Sequence, residues 1–531
     1  MFDLLLTNAA VVDGSGAAAY PANVGVSGGK IAAISPGLDA DALRRIDLDG
    51  RILTPGFIDI HRHADAALFR PGFGRAELFE GITAIVNGNC GMSIAPLSPP
   101  HREEVLRYLS PVTGSLPAGV AFERFSDYTD LLKGMALPLN VGSHVGSGTL
   151  RAAVCGYTEN ALGKGGQKLL NKSLEEALSA GALGVSVGFA YLPDLLYTPE
   201  ELAEALAPIR GTEIPLVCHL RGEGGILCES VREAIQAAKL LRVPLQISHF
   251  KCIGRRNWGT VLRKAIELIE DARQSGAEIM CDVYPWTAGS TQMVCLLPPD
   301  FLQGGPGRVA ALLADTKTRK ACRDIMCKPS LAFENIVESM GWQSVYVSGL
   351  NSEKNRWCVG KSIVEIADMR KVDPFDAAFD LLAEEDCNVT MVDYITCEED
   401  IETILRLGYS SLISDTIYPD CGLPHPRGYG NVATFLSEYV KKRGTLTFEQ
   451  AIHKLTALPA KAMRIKNKGQ IREGFDADLV VLEKDGIHSD ADFQNPTRLS
   501  KGVCLVVVNG KIALEGGCAT GVMSGGYIRR G

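Results

Sequence analysis

Five residues of metal-ligand type stand where short apolar runs of this chain end. Thr54-Pro55-Gly56-Phe57-Ile58-Asp59-Ile60 leads into His61-Arg62-His63. Side chains two apart on a strand share a face, so His61 and His63 project together, as paired metal ligands must. Ala84-Ile85-Val86-Asn87-Gly88-Asn89 runs into Cys90, inside a glycine-rich turn. Leu216-Val217-Cys218 ends in His219, and Leu245-Gln246-Ile247-Ser248 ends in His249. Taken singly, a strand-end histidine is a hydrogen-bonded structural residue and a glycine-flanked cysteine is a buried thiol. Taken together, three strand ends carry four of only nine histidines, and that concentration points to a metal site.

Zinc suits imidazole and thiolate donors and leaves a position open for water or substrate. Cys90 would bind as thiolate. The metal would bring the pKa of its water down to about 7, which makes a nucleophile at neutral pH. Asp415 closes the apolar run Ser411-Leu412-Ile413-Ser414 and is not needed as a ligand, so it is the candidate general base. Protonated by that step, it can return the proton to a departing amide nitrogen. A second group, Lys251, Tyr284, Ser290 and Arg427, has the donors to hold a substrate carboxylate. The plain alternative for Lys251 and Arg427 is solvated loop charge.

These residues need a scaffold that delivers strand ends to one place. Helical stretches alternate with apolar strands: Leu174–Ala180 before Leu183–Val187, Pro199–Ile209 before Pro215–His219, Ser230–Leu241 before Pro244–His249, Thr260–Ser275 before Glu278–Tyr284. Repeated βα units without a Gly-rich dinucleotide turn predict a parallel (β/α)8 barrel, whose chemistry lies at the C-terminal ends of its strands. Residues 291–350, with Pro298-Pro299 and Gly304-Gly305-Pro306-Gly307, break the rhythm and read as an insertion with a helix over Val309–Asp324. Short strands fill 1–54 (Asp3–Leu6, Ala10–Val12, Val24–Ser27, Lys30–Ile34), and the same texture returns at Ala477–Leu482, Val503–Val508 and Lys511–Leu514 after the Asn509-Gly510 turn. Residues 1–54 and 470–531 are therefore expected to form one small β-domain flanking a barrel over 55–469.

Composition narrows the function classes. A net charge of −8 argues against nucleic acid as the main partner, and the chain has no apolar run long enough to span a membrane. The N-terminus lacks the basic and apolar regions of a signal peptide, and the fifteen cysteines form no CxxC pair, so reduced thiols in the cytoplasm are expected. Cys155, Cys295 and Cys504 are expected to do no more than pack.

The chain resembles the metal-dependent amidohydrolases, and within them the N-acyl-D-amino-acid deacylases (D-aminoacylases), over nearly its whole length. The resemblance rests on Pro55–His63, on Asn87-Gly88-Asn89-Cys90-Gly91-Met92-Ser93-Ile94-Ala95-Pro96-Leu97, and on Gln246–Lys251. Asp282-Val283-Tyr284-Pro285, Ile413-Ser414-Asp415 and Gly474-Phe475-Asp476-Ala477-Asp478-Leu479-Val480 add to it. The cysteine motif is the most specific, because most two-metal amidohydrolases place a carboxylated lysine there. The resemblance implies a distorted α/β (β/α)8 TIM-type barrel with a small β-sandwich built from both chain ends. It also implies one tightly bound Zn2+ on Cys90, His219 and His249, and a weaker second site formed by His61 and His63 sharing Cys90. Asp415 matches the catalytic acid/base, and Lys251, Tyr284, Ser290 and Arg427 match positions that engage the substrate α-carboxylate. The implied reaction hydrolyses an N-acyl-D-amino acid, a small molecule with a free carboxylate; acyl and side-chain preference and oligomeric state stay open. Ser147 and Phe250 stand where many members have histidine, and Thr416–Cys421 departs from the usual Asp-Gly-Leu-Pro type loop. Two rivals remain: a cyclic amidase of the hydantoinase or dihydroorotase kind, and a non-catalytic scaffold of the same fold.

Overall fold

The computed structural model describes residues 1–157, 162–483 and 486–530. Both chain ends contribute to a single nine-stranded sheet. The N-terminal part supplies Phe2–Val11, Tyr20–Ser27, Lys30–Ser35, Ala42–Asp47 and Ile52–Pro55; the C-terminal part supplies Leu479–Leu482, Val503–Val508, Lys511–Glu515 and Cys518–Ala519. The seam between them is the antiparallel pair Ile52–Pro55 and Leu479–Leu482, with Leu53 opposite Val481. Strand alternation assigns each face of this seam to a different core. Leu53, Leu479 and Val481 join Leu6, Val24 and Val507 in a small core of the sheet. Ile52, Val480 and Leu482 face the main core and fasten the sheet to the rest of the molecule.

The two strands expected over Asp3–Leu6 and Ala10–Val12 are one continuous strand. Its register against Tyr20–Ser27 shifts between Leu6 and Ala9. Asn8 takes φ 55° there, and its amide is satisfied by the Asn23 side chain at 2.8 Å. The irregularity is a bulge within a strand rather than a break. The Asn509-Gly510 turn has positive φ at both residues, as a tight hairpin of this type requires.

Eight strand segments follow one another in parallel: Phe57–Asp59, Ile82–Asn87, Asn140–Ser143 with Val145–Gly146 beyond His144, Val185–Gly188, Leu216–His219, Leu245–Ile247, Ile279–Val283 and Ser410–Leu412. Backbone contacts link the last to the first: Arg62 bridges Thr416 in parallel, the Asp415 amide donates to His61 O at 3.0 Å, and the His63 amide to Thr416 O at 3.0 Å. These strands are buried along their full length, which explains their unbroken apolar runs. Helices Gly163–Ala180, Pro199–Ala205, Leu227–Leu241 and Thr260–Gln274 precede successive strands; the first starts eleven residues before the expected Leu174, and the other bounds fall within four residues of those expected.

Between Val283 and Ser410 the chain leaves this pattern. Ala288–Gln292, Val345–Leu350 and Val389–Tyr394 form a three-stranded antiparallel sheet with Val389–Tyr394 in the middle. The helix expected over Val309–Asp324 is two helices, Gly305–Leu312 and Thr316–Met326. Asp315 separates them because its carboxylate caps the second, accepting from the Thr318 amide at 2.8 Å. No helix among the described residues is long and apolar enough to cross a membrane, and no disulfide joins any of the described cysteines.

Candidate active site

The first strand stops at Asp59, two residues short of the histidine pair. The pair nevertheless keeps strand alternation, because Arg62 is pinned by its bridge to Thr416. His61 and His63 therefore face the same side, and the Nε2 atoms of both approach Asp415 Oδ1, at 3.4 and 3.5 Å. Arg62 points the other way into a fully buried cage of Asp59 (2.7 Å), Glu77 (2.6 Å) and the Tyr418 hydroxyl (2.7 Å). Asp59 also accepts from the His61 amide at 3.2 Å and from the Ser414 hydroxyl at 2.6 Å. One carboxylate thus sets the segments carrying His61 and Asp415 against each other.

Cys90 is presented by a turn after Ile82–Asn87 in which Gly88, Cys90 and Gly91 all have positive φ. A Cβ on Gly88 would lie 2.2 Å from His144 O, so only glycine fits there. The Asn89 side chain ties the turn to Ile60 O, Arg62 O and Val86 O. His249 and Asp415 also have positive φ, 33° and 53°. Such left-handed backbone at non-glycine residues costs about 1–3 kcal/mol each and persists only where neighbours over-determine it. Here the His249 amide is held by Asp282 and the Asp415 amide by His61 O.

From Cys90 Sγ, His61 Nε2 lies at 3.4 Å, His219 Nδ1 at 3.6 Å and His249 Nε2 at 3.6 Å. Three overlapping donor triads result among the described residues, Cys90–His219–His249, His61–His63–Cys90 and His61–His249–Asp415, each with its ligand atoms within 4.8 Å of one another. Zinc–sulfur and zinc–nitrogen bonds of tetrahedral zinc place neighbouring S and N donors about 3.5 Å apart. The Cys90–His219–His249 edges match that spacing, so the donor set fits a zinc ion without rearrangement. Burial raises the Cys90 thiol, yet the charge of His61 and hydrogen bonds with His219, His249 and His61 bring it well below its ordinary value. The site thus favours a thiolate.

Glu223, which the sequence reading passed over, supports this triad. Its Oε1 lies 3.0 Å from His249 Nδ1 and 2.7 Å from Lys251 Nζ. Burial raises its carboxyl, but the charges of Lys251, His249 and His219 outweigh that and bring it down to about 2. An ionised Glu223 that accepts from Nδ1–H would leave Nε2 of His249 to face Cys90; Lys251 Nζ, itself a donor, lies 2.8 Å from the same Nδ1. The signal was present: Glu223 follows the strand-end His219 by four residues, in His219-Leu220-Arg221-Gly222-Glu223. Removing such a partner typically weakens metal binding about 10–100-fold. Glu223→Gln is therefore expected to lower zinc affinity by that factor in competition with a chromophoric chelator, and an unchanged affinity would refute its role.

Asp415 is also buried, which raises its carboxyl. The charge of Arg427, a hydrogen bond from His63 and the charges of His61 and His249 bring it well below the usual carboxylate range. Arg427 Nη2 lies 3.0 Å from Asp415 Oδ2 and 3.2 Å from Ser290 O.

Lys251, Tyr284, Ser290 and Asp415 line one cavity together with Cys90, His63, His219 and His249. Arg427 is fully buried behind Asp415, its guanidinium 4.7 Å from the Tyr284 ring centroid, with Nε and Nη1 unpartnered. The Tyr284 hydroxyl is unpartnered too, and burial raises its pKa to about 12, so it is a neutral donor. Cys295, expected only to pack, lines this cavity. Of the positions that depart from the resemblance, Ile417 lines the cavity, whereas Ser147 and Phe250 do not: Ser147 donates to Asp194 at 2.8 Å and Phe250 is wholly buried. His144 is buried, with neither ring nitrogen bonded.

Residues 44–227 and 331–514 match the Amidohydrolase family. The D-aminoacylase of Alcaligenes xylosoxydans xylosoxydans is 30% identical over 531 residues, covering 100% of this chain and 98% of that protein. The N-acyl-D-glutamate deacylase of the same organism is 30% identical over 519 residues, 96% of this chain and 93% of its own. A crystal structure of N-acyl-D-glutamate deacylase from Bordetella bronchiseptica superposes with a TM-score of 0.84 at 27% identity over 99% of each chain. That enzyme is complexed with zinc and a phosphonate inhibitor that mimics the tetrahedral intermediate.

Proposed function

This chain belongs to the amidohydrolase family, and from that premise we propose that it hydrolyses the linear amide of N-acyl-D-amino acids to a carboxylate and a free D-amino acid. The convergence of Cys90 Sγ with His219 Nδ1 and His249 Nε2 at 3.6 Å, beside the Asp415 carboxylate, carries this reading. The strands are those of a distorted (β/α)8 barrel over 55–469, joined to a β-sandwich domain from 1–54 and 470–531, with an insertion near 291–350.

Cys90, His219 and His249 would hold a tightly bound zinc, and His61 and His63, sharing Cys90, would form a weaker second site. When bound, zinc would supply a Lewis acid toward the scissile carbonyl and toward water. Asp415 takes the proton of the attacking water and passes it to the amide nitrogen as the C–N bond breaks. The low carboxyl pKa set by Arg427, His63 and the neighbouring imidazoles keeps Asp415 ionised and ready as a base at neutral pH. Lys251, Tyr284, Ser290 and Arg427 take the substrate α-carboxylate, which fixes the orientation of the scissile bond over Asp415. Glu223 holds His249 in the tautomer that binds through Nε2.

Cyclic amidase chemistry of the hydantoinase kind is the weaker reading, because a hydantoin ring offers no free carboxylate to Lys251 and Arg427; a dihydroorotase-like substrate does carry one, and a ring-opening assay on dihydroorotate separates that rival. Paired N-acetyl-D- and N-acetyl-L-amino acids, assayed for released amine, test the proposal. Turnover of the D-enantiomers is expected, and turnover of the L-enantiomers alone would overturn the stereochemical assignment.

A further inference from the structure

We propose that the α-carboxylate is the only anionic group this cavity accepts, so that substrate side chain and acyl group are both uncharged. N-acyl derivatives of apolar D-amino acids are then substrates, whereas those of D-aspartate and D-glutamate, and N-succinyl amides, are not. This inference rests on the deacylase reading above.

The cavity carries few charged groups, and each cation among them has a partner. Its cationic side chains other than the histidines are Lys251 and Arg221, with Arg427 behind the wall. Arg221 is already neutralised: Nε donates to Glu233 Oε2 at 2.9 Å, Nη2 to Glu233 Oε1 at 2.8 Å, Nη1 to Leu195 O at 2.7 Å and Nη2 to Tyr197 O at 2.9 Å. Lys251 pairs with Glu223, and Arg427 with Asp415. The donors left over, Arg427 Nε and Nη1 and the Tyr284 hydroxyl, gather beside Asp415, where the α-carboxylate is placed. No further unpaired cation lines the cavity among the described residues.

The remaining wall is apolar or acidic. Met92, Phe189, Leu297, Phe333 and Ile395 supply apolar surface. Glu334 and Asp393 add two carboxylates that face the same space. Glu334 arrives from the segment before helix Ile336–Met340, and its Oε2 accepts from the Gly224 amide at 2.6 Å. Asp393, near the end of Val389–Tyr394, keeps Oδ1 unpartnered. A second substrate carboxylate would lose its water shell and find no counterion, because the groups it meets are apolar or are the acidic side chains of Glu334 and Asp393, which burial pushes up to about 7 and about 6. Apolar groups meet no such barrier and gain contact with the wall.

The test uses the full-length, zinc-loaded protein and compares kcat/KM for five substrates: the N-acetyl derivatives of D-leucine, D-methionine, D-glutamate and D-aspartate, and N-succinyl-D-leucine. A preference of at least a hundredfold for the two monoanionic substrates over the three dianionic ones is expected. Glu334→Gln and Glu334→Lys should each raise the D-glutamate to D-leucine ratio at least fivefold, with Lys the larger. Turnover of N-acetyl-D-glutamate or N-acetyl-D-aspartate within tenfold of N-acetyl-D-leucine overturns the inference and leaves the deacylase reading standing. A ratio unmoved by Glu334→Lys overturns it as well. Failure to cleave any N-acyl-D-amino acid overturns the deacylase reading and this inference with it.

Discussion

Cys90→Ala is expected to empty the site of tightly held metal and to lower hydrolysis of an N-acetyl-D-amino acid by at least about a thousandfold. Sγ is the common vertex of the two triads that contain a thiolate, so its loss reduces each of them to two imidazoles and leaves only His61–His249–Asp415 with three donors. Two neutral imidazoles without a thiolate bind divalent zinc far more weakly than a three-donor site. Cys90→Ser should behave alike, because a serine hydroxyl does not ionise near neutrality and cannot replace the thiolate. Neither change should unfold the chain: Cys90 ends a turn held by Asn89 and flanked by Gly88 and Gly91, and no volume is added. Metal content by emission spectrometry and far-ultraviolet dichroism separate these effects. A Cys90→Ala protein that retains full metal and activity would remove Cys90 from the centre.

The second large effect concerns Asp415. Asp415→Asn should leave zinc content near that of the parent while lowering kcat about 10²–10⁴-fold, the span of a lost acid/base group. The amide can still accept from Arg427 but can neither take nor return the proton. Arg427 then keeps its buried charge without an anionic partner, so some loss of stability accompanies the change. Asp415→Glu, which restores the carboxylate in a shifted position, distinguishes the two consequences: it should recover stability fully and activity only in part. If Asp415→Asn loses metal in proportion to activity, Asp415 is a ligand rather than the base.

The elements that carry the chemistry were readable from local pattern. Apolar runs ending in His219, His249 and Asp415 are strand segments buried on both faces, and burial on both faces is what makes the run continuous. His61 and His63 share a side as their spacing requires, although the strand itself ends at Asp59 and the alternation survives through the Arg62–Thr416 bridge. What local pattern did not disclose was the support around the donors. Glu223 lies beyond the end of its strand, and its meaning comes from His249 and Lys251, more than twenty residues away. Glu334 and Asp393 reach the cavity from the excursion between Val283 and Ser410, where neither helix nor strand period predicts which side chain turns inward. Arg427, expected to engage the substrate, lies behind Asp415 with Nη2 on that carboxylate and with Nε and Nη1 unpartnered. The helix expected over Val309–Asp324 failed at Asp315 because a side-chain cap competes with helix continuation in a way hydrophobic spacing does not register.

The most direct test of the central claim, that a metal on Cys90, His219 and His249 drives hydrolysis of N-acyl-D-amino acids, is a titration of chelator-stripped protein with zinc. Metal per chain and amine released from N-acetyl-D-leucine are read from the same samples. The account predicts no release from stripped protein, recovery that follows the first equivalent of zinc, and no release from N-acetyl-L-leucine. Full activity in stripped protein, or recovery with the L-substrate alone, would contradict it.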